Sequence, residues 1–357
     1  MSTPTLVVAD RLEPADAKTW DALVDDSPLP SPFLRSWWLG AVQGPHTRYL
    51  LVREGDDLLG GIALDHVRRL GVGRWSVPGP RKLCPDHLDV VARPDRAPLV
   101  ARVVLEHLGT ERSSVLDLDG LRADSWIAGA LRELDRRHEV EEVERAPFVR
   151  LPDTLEQYLG ERSKNFRRKA TRVRRRAEAG GLVAHPVGPD RLVEVLDAFE
   201  ALHRARGDRE EFLRDFPVVR SVVGAAMEAG EAVVHVAERE GRIGAVAVAF
   251  RVGDAVRNYQ AARAMTEEFS DAPTLTELSV LSQACDDGLA EFDFLRGAAP
   301  YKYSYCDQDR PVLRLRSGTG AGRLLLAGRR LAVRLRAAVR ARLRRTGTAT
   351  TPSEEKG

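Results

Sequence analysis

The stretch AVVHVAEREGRIGAVAVAFRVGDAVRNYQAA (Ala232–Ala262) decides the fold. Three β-rich runs, Ala232–Glu238, Ile243–Arg251 and Ala255–Ala262, are divided by Glu240-Gly241 and Gly253-Asp254. Tight turns of that composition predict an antiparallel meander. Downstream, Thr274–Gly288 predicts a helix, with Thr274-x-x-Glu277 as its capping box. Phe292–Leu295 then predicts a short strand. A strand–helix–strand passage within one sheet crosses over right-handed and leaves its two strands parallel.

Working outward, Thr154–Ala179 predicts a long helix interrupted near Gly160 and ended by Gly180-Gly181. Leu192–Arg206 predicts another. The first 150 residues read as mixed α and β. Helices are expected at Ala17–Val24, Ser31–Val42, Ala97–Leu108 and Ser125–Arg137, and strands at Tyr49–Arg53, Leu58–Val67 and Ser114–Leu118. LLVREGDDLLGGIALDHV (Leu50–Val67) also echoes HVAEREGRIGAVAVAFRV (His235–Val252) in pattern. The echo predicts one unit used twice. The fold class is α/β (α+β), with mixed central sheets flanked by helices.

Composition bounds the rest. With 43% apolar and 30% charged residues over 357 positions, the chain can build a core while staying soluble, and two domains are expected. No apolar run is long enough for a membrane span. The start carries an acidic residue where a secretory signal would be basic, so a cytoplasmic chain is expected. Three scattered cysteines, Cys84, Cys285 and Cys306, give no disulfide framework or metal knuckle. Residues 317–345 hold nine arginines and no acidic residue, on a body that is net acidic. From Gly320 to Arg345 the pattern is helical, with Leu331, Leu335, Val339 and Leu343 every fourth residue among arginines. Such a helix can lie on anionic lipid, peripheral to the inner face of a membrane, or pack on the acidic body. After Thr346 the chain is small and polar, and disorder is expected.

Three stretches could carry chemistry. EFDFLRGAAPYKYSY (Glu291–Tyr305) ends a strand at Arg296-Gly297 and places Lys302, one of six lysines, between Tyr301 and Tyr303. A cation at the carboxyl end of a crossover strand can steady charge growing on an oxygen. Packing tyrosines and a surface lysine are the plain alternative. SKNFRRKATRVRRR (Ser163–Arg176) puts Phe166, Ala170 and Val173 on one stripe and Lys164, Arg168, Arg172 and Arg175 on another. The basic stripe suits a phosphate-bearing cofactor or a solvated face, and no motif for DNA accompanies it. His203 could act as a base or orient a loop. Asp86-His87-Leu88-Asp89 has acid–base residue types, without metal-ligand spacing. GxSxG, Walker and GxGxxG loops are all missing, which removes support for hydrolase, triphosphatase and dinucleotide readings.

In this order, SKNFRRKATRVRRR, the His203 helix, EREGRIGAVAVAF, the Tyr259 strand and FDFLRGAAPYKYSY resemble GNAT-type acyltransferases of the cellulose-biosynthesis (CelD-type) acetyltransferase family, relatives of the FemAB-like peptidyltransferases. The resemblance is strongest over residues 150–310. It implies a tandem GNAT-like fold: a degenerate domain at 1–150, an acyltransferase domain at 151–316, a basic helix at 317–345 and a tail at 346–357. It implies acetyl-CoA or another acyl-CoA as co-substrate, with no metal, and an amine acceptor on a sugar, lipid or peptide precursor of the cell surface. Matching positions imply catalytic roles for Lys302, Asp293, His203 and Tyr301. They imply donor contacts from Arg168, Tyr259, Thr274, Arg296 and Gly297. The turn Ser270-Asp271-Ala272-Pro273 lacks the glycine common in relatives, and no Arg/Gln-x-x-Gly-x-Gly/Ala loop is present. An aminoacyl-tRNA donor therefore stays open, as does a non-catalytic binding module.

Overall fold

The structure is a computed structural model that describes residues 3–134 and 136–347, with side chains through residue 332 and at residue 335. The first half supplies strands β1 (Thr5–Ala9), β2 (Thr47–Glu54), β3 (Asp57–Arg69), β4 (Val72–Ser76), β5 (Val91–Ala92), β6 (Ser114–Leu121) and β7 (His138–Arg150). Its helices are α1 (Pro14–Asp25), α2 (Ser36–Val42), α3 (Ala97–Thr110) and α4 (Trp126–Glu133). The second half supplies β8 (Val183–Pro186), β9 (Ala232–Arg239), β10 (Arg242–Val252), β11 (Ala255–Arg263), β12 (Glu291–Asp293) and β13 (Gln308–Thr319). Its helices are α5 (Leu155–Glu161), α6 (Lys164–Ala179), α7 (Leu192–Arg206), α8 (Glu210–Arg214), α9 (Phe216–Glu228), α10 (Ala272–Asp286), α11 (Lys302–Tyr305) and α12 (Gly320–Gly347).

All thirteen strands join one sheet, in the order β1-β2-β3-β4-β6-β13-β7-β12-β11-β10-β9-β8, with β5 added to β3. The order is the same unit read twice from a central seam. Each half has an antiparallel meander, then a helix, then a parallel strand: β4 beside β6 around α3, and β11 beside β12 around α10. The strand that follows is exchanged. β7 pairs with β12 of the other half, β13 pairs with β6, and β7 and β13 pair with each other. The halves are therefore tied through the sheet itself. The mixed α/β architecture expected from the sequence is the one observed.

Local chemistry explains the boundaries. The long helix breaks because Ser163 starts α6 afresh, its hydroxyl accepting from the Phe166 amide at 3.3 Å. Phe166, Ala170, Val173 and Ala177 form the buried stripe of α6, and the basic stripe faces out. Several details differ from expectation. The helix expected at Ser31–Val42 is split by an extended Arg35 into a single turn at Pro32–Leu34 and α2 at Ser36–Val42. The helix expected at Ser125–Arg137 ends at Glu133. α10 starts at Ala272, with Asp271 before it, so Thr274 and Glu277 are not its capping box. Asp271 is instead held by Arg176 of α6, at 2.7 Å. The basic helix begins at Gly320, after β13 has run to Thr319, and it includes Thr346 and Gly347 of the expected tail. Residues 348–357 lie outside the described residues. Among the described residues no helix is long and apolar enough to cross a membrane.

The core also crosses the seam between halves. Phe33 and Trp38 from the α2 region meet the Tyr259 ring at 5.8 and 5.6 Å, and Trp37 meets Phe250 at 5.2 Å. Arg35 and the Trp37 indole N–H both bind Glu231 ahead of β9. These aromatic and charged contacts fix the first half against β10 and β11, and so set one wall of the cleft described next.

Candidate active site

β11 and β12 pair in parallel only at Ala255–Glu291, Val256–Phe292 and Arg257–Asp293. Beyond that the strands part. The cause is local. Asp293 Oδ1 accepts from the Leu295 amide at 2.7 Å, and Leu295 takes a left-handed φ of 55°. A carboxylate capping the amide two residues on is a turn former. Gly297, at φ 101°, completes the bend. Between Asn258–Ala261 on one side and Phe294–Gly297 on the other lies a cleft of about 410 Å³. It continues into a second hollow that shares Cys84, Arg206, Arg209 and Gln260.

Lys302 folds back under this bend. Its Nζ donates to the carbonyls of Phe294, Leu295 and Arg296 at 2.8, 3.1 and 2.8 Å. All three ammonium hydrogens are thus taken, and burial lowers its pKa. The expectation of a lysine free to meet an oxygen of the donor is corrected: Lys302 holds the loop that forms the cleft wall. Replacing it with Met strands three carbonyls, at a cost of about 1–3 kcal/mol for each one left buried. Lys302→Met is expected to unfold at clearly lower urea concentration than the parent. Unchanged unfolding would return the lysine to a purely catalytic role.

Asp293 lies behind the wall, with no exposed surface. It binds His87 Nε2 at 2.9 Å and Arg257 Nη1 at 3.2 Å. It does not face the cleft, so a direct role in proton transfer is corrected to one of positioning. Arg296 lines the cleft, but its guanidinium is held by Asp86, by Asp119 at 3.0 Å and by the Pro85 carbonyl at 2.6 Å. It clamps the halves together, spending three of its five N–H groups on these acceptors. His203 is corrected as well. It is fully buried against Phe199 and Phe212 at 4.7 and 4.8 Å, with both ring nitrogens unpartnered. Burial, then the nearby Arg209 and Arg206, lower its pKa to about 4, so the ring stays neutral and sealed from substrate.

Of the nine residues singled out in the sequence, Tyr259, Arg296, Gly297, Tyr301 and Lys302 meet on the cleft. Asp293 and His203 are behind it. Arg168 is exposed on α6, and Thr274 is buried in the first turn of α10. Neither of these two lines the cleft.

The residue that sequence reasoning missed is Glu277. From the second turn of α10 its carboxylate enters the cleft, where Asn258 Nδ2 donates to Oε2 at 2.9 Å. Burial pushes its pKa up to about 7 against the opposing Asn258 hydrogen bond. Around it, Asn258 Oδ1 and Tyr259 Oη are buried, unpartnered and on the cleft lining. Arg209 at the mouth has no carboxylate within 4 Å among the described residues. The cleft therefore offers a base poised near neutral pH, two unsatisfied polar atoms and the Arg209 guanidinium at its mouth, beside Arg206 and Lys82, which are paired with Asp208 and Glu211. Among the described residues no cluster of His, Cys, Asp or Glu is placed to hold a metal ion.

The matching place in the first half is filled by its own chain. β4 and β6 also part after Ser76 and Asp117. There Leu88 bonds to Gly120 and Arg122 beside the end of β6, and Val91-Ala92 pair with Gly61-Gly60 of β3. The same segment carries Asp86 and His87 across to Arg296 and Asp293. This segment covers the edge of β6, and the hollow that remains over the parting strands, lined by Ser76, Val77, Asp117 and Asp119, is walled by Leu325, Leu326 and Arg329 of α12.

None of the curated proteins matches this chain in sequence. Residues 164–303 match the acetyltransferase (GNAT) domain family. Among solved structures, FemX is similar over 84% of this chain and 95% of its own, at 12% identity and a TM-score of 0.65. L-PGS from Bacillus licheniformis is similar over 85% of this chain and 91% of its own, at 12% identity and a TM-score of 0.57. The C-terminal domain of a putative lysylphosphatidylglycerol synthetase from Agrobacterium fabrum is similar over 87% and 96%, at 12% identity and a TM-score of 0.54. The acetyltransferase (GNAT) match falls on the half that holds the cleft between β11 and β12, and the acyltransferase it supports is carried by that domain on a GNAT-like fold.

Proposed function

We propose that the chain is an N-acyltransferase that moves an acyl group from acetyl-CoA or another acyl-CoA to a primary amine. The acceptor is an amine of a cell-surface polysaccharide, lipid or peptide precursor, as in the CelD-type family that the sequence resembles. The setting is cytoplasmic, peripheral to the inner face of the membrane. The observation that carries the reaction is Glu277: a buried carboxylate, with pKa raised to about 7, in the slot between two parting parallel strands. An amine attacks a thioester only when neutral, so a base of that pKa is what the step needs. The amine nitrogen bonds to the thioester carbon and its proton passes to Glu277; the carbon–sulfur bond then breaks, the sulfur leaves as a thiolate, and Glu277 returns that proton to it to give the free thiol. Tyr259 Oη, buried and unpartnered, supplies a donor to the oxygen that gains charge.

A second donor is favoured by specific observations. The turn before α10 has no glycine and spends Asp271 on Arg176, and two of the similar structures carry lysylphosphatidylglycerol synthetase or L-PGS in their names. An aminoacyl-tRNA would use the same base on the same amine. The two donors separate in one assay. Purified protein is mixed with acetyl-CoA and a panel of amino sugars and peptides, and free thiol is followed. Amine-dependent thiol release supports the acyl-CoA reading. Acyl transfer only with charged tRNA replaces it. A chain that leaves both donors intact is a binding module.

A further inference from the structure

The basic helix α12 has a fixed rotation on the body. Gly322 sits so close to the Ser114 carbonyl that a Cβ there would collide with it. One turn later Leu326 is buried, and one turn after that Arg330 pairs with Glu139. Residues at i, i+4 and i+8 share one face, so these three mark the face against the protein. Leu324, Leu331 and Leu335 fall half a turn away. They are 75%, 59% and 58% exposed. The apolar stripe is turned from the body, and only the arginine side meets an acidic residue. Leu325, also 58% exposed, and Arg329 stand on the flank. There they border a hollow of about 740 Å³ with Arg69, Arg81, Val67 and Val72; its acidic residues are Asp65, Asp117 and Asp119, of which Asp117 is paired with Arg74 and both Asp117 and Asp119 with Arg314. Arg69, Arg81 and Arg329 have no carboxylate within 4 Å among the described residues.

We propose that this surface docks on an anionic phospholipid bilayer, with the leucine stripe lying in the headgroup layer and the flanking arginines on lipid phosphates. The inference deepens the peripheral setting proposed above and is independent of the acyl-transfer chemistry. Charge and apolarity choose the occupant together. Residues 317–345 carry nine arginines and no acid, so pairing the stripe with a second copy of the chain would crowd like charges. A nucleic acid would satisfy the arginines and leave the leucines wet, and the segment has no aromatic residue on which a base could stack. An anionic bilayer buries the one and neutralises the other.

The test is flotation of the full chain with vesicles of phosphatidylcholine alone, and with one part in three of phosphatidylglycerol. The expected result is flotation with the anionic vesicles only, weakened by salt. In Leu324→Asp/Leu331→Asp the bound fraction falls by about tenfold or more. Both positions are exposed, so the fold is kept, and a circular dichroism melt matching the parent checks this. Thiol release on a soluble amine is expected to stay unchanged in that variant. Flotation equal to the parent, binding to neutral vesicles as tight as to anionic ones, or a dimer dispersed by the substitutions without vesicle binding would each overturn the proposal. A chain that releases thiol and does not float loses this inference and keeps the acyl-transfer reading.

Discussion

Glu277→Gln is expected to lower kcat/KM at pH 8 by about 10²–10⁴-fold and to raise the stability of the fold at the same pH. Both follow from one carboxylate. Below about pH 7 it is protonated in the folded protein and cannot take a proton from the amine; above that pH it can. The parent's rate should therefore rise through pH 7, and the variant should lose that limb. Stability runs the other way. The ordinary glutamate releases its proton near 4.5, whereas Glu277 keeps it to about 7. Between those values the folded state holds a proton that the unfolded chain has released, so stability falls as pH rises through the window. Gln carries no charge, keeps an oxygen for Asn258 Nδ2, and escapes that loss. It should be more stable by about 2–3 kcal/mol at pH 8 and equal to the parent near pH 4. Urea titrations at the two pH values, beside the pH–rate profile, check both. A variant that keeps its rate removes Glu277 as base, whatever its stability.

The sequence made the meander, the crossover and the repeat legible because each is written in local turns and apolar runs. It hid β7 and β13. HEVEEVERAPFVR and QDRPVLRLRS read as polar surface, since their alternate positions are Glu and Arg. The alternation has meaning only across strands. Arg314 is opposite Glu141 and Arg316 opposite Glu139, from segments more than 170 residues apart, and opposite charges facing each other support a ladder. The site was legible by half. Tyr301-Lys302 stood out as a rare lysine between aromatics, and it does border the cleft. Its task was not legible, because the carbonyls it holds turn inward only after Leu295 takes a left-handed conformation. Glu277 was hidden by a better local reading: Thr-x-x-Glu is a helix start, until the structure begins the helix two residues earlier and turns the carboxylate inward. His203 looked reactive for the opposite reason. No spacing announces that Phe199 and Phe212 will close over a histidine.

A large loss of stability is also expected at Asp293. Its carboxylate is buried, and burial alone would push its pKa up. The His87 ring and the Arg257 guanidinium override that and hold it well below the usual carboxylate range. A carboxyl whose folded pKa is depressed lends stability above its ordinary pKa, and that stability drains as pH falls below it. Asp293→Asn removes the charge and leaves Arg257 buried with Glu291 as its remaining carboxylate partner, and His87 facing an amide. Breaking a buried pair on one side costs about 3–5 kcal/mol. The variant should unfold at lower urea at pH 7, and the gap to the parent should narrow as pH drops toward 3. Activity should fall too, since the Leu295 amide loses its charged acceptor and the wall of the cleft loosens. The test separates two accounts of how the halves stay joined. His87 comes from the first half and Asp293 from the second. An Asn variant as stable as the parent at every pH would leave the exchange of β7 and β13 as what holds them, and the buried charges as a device for shaping the loop alone.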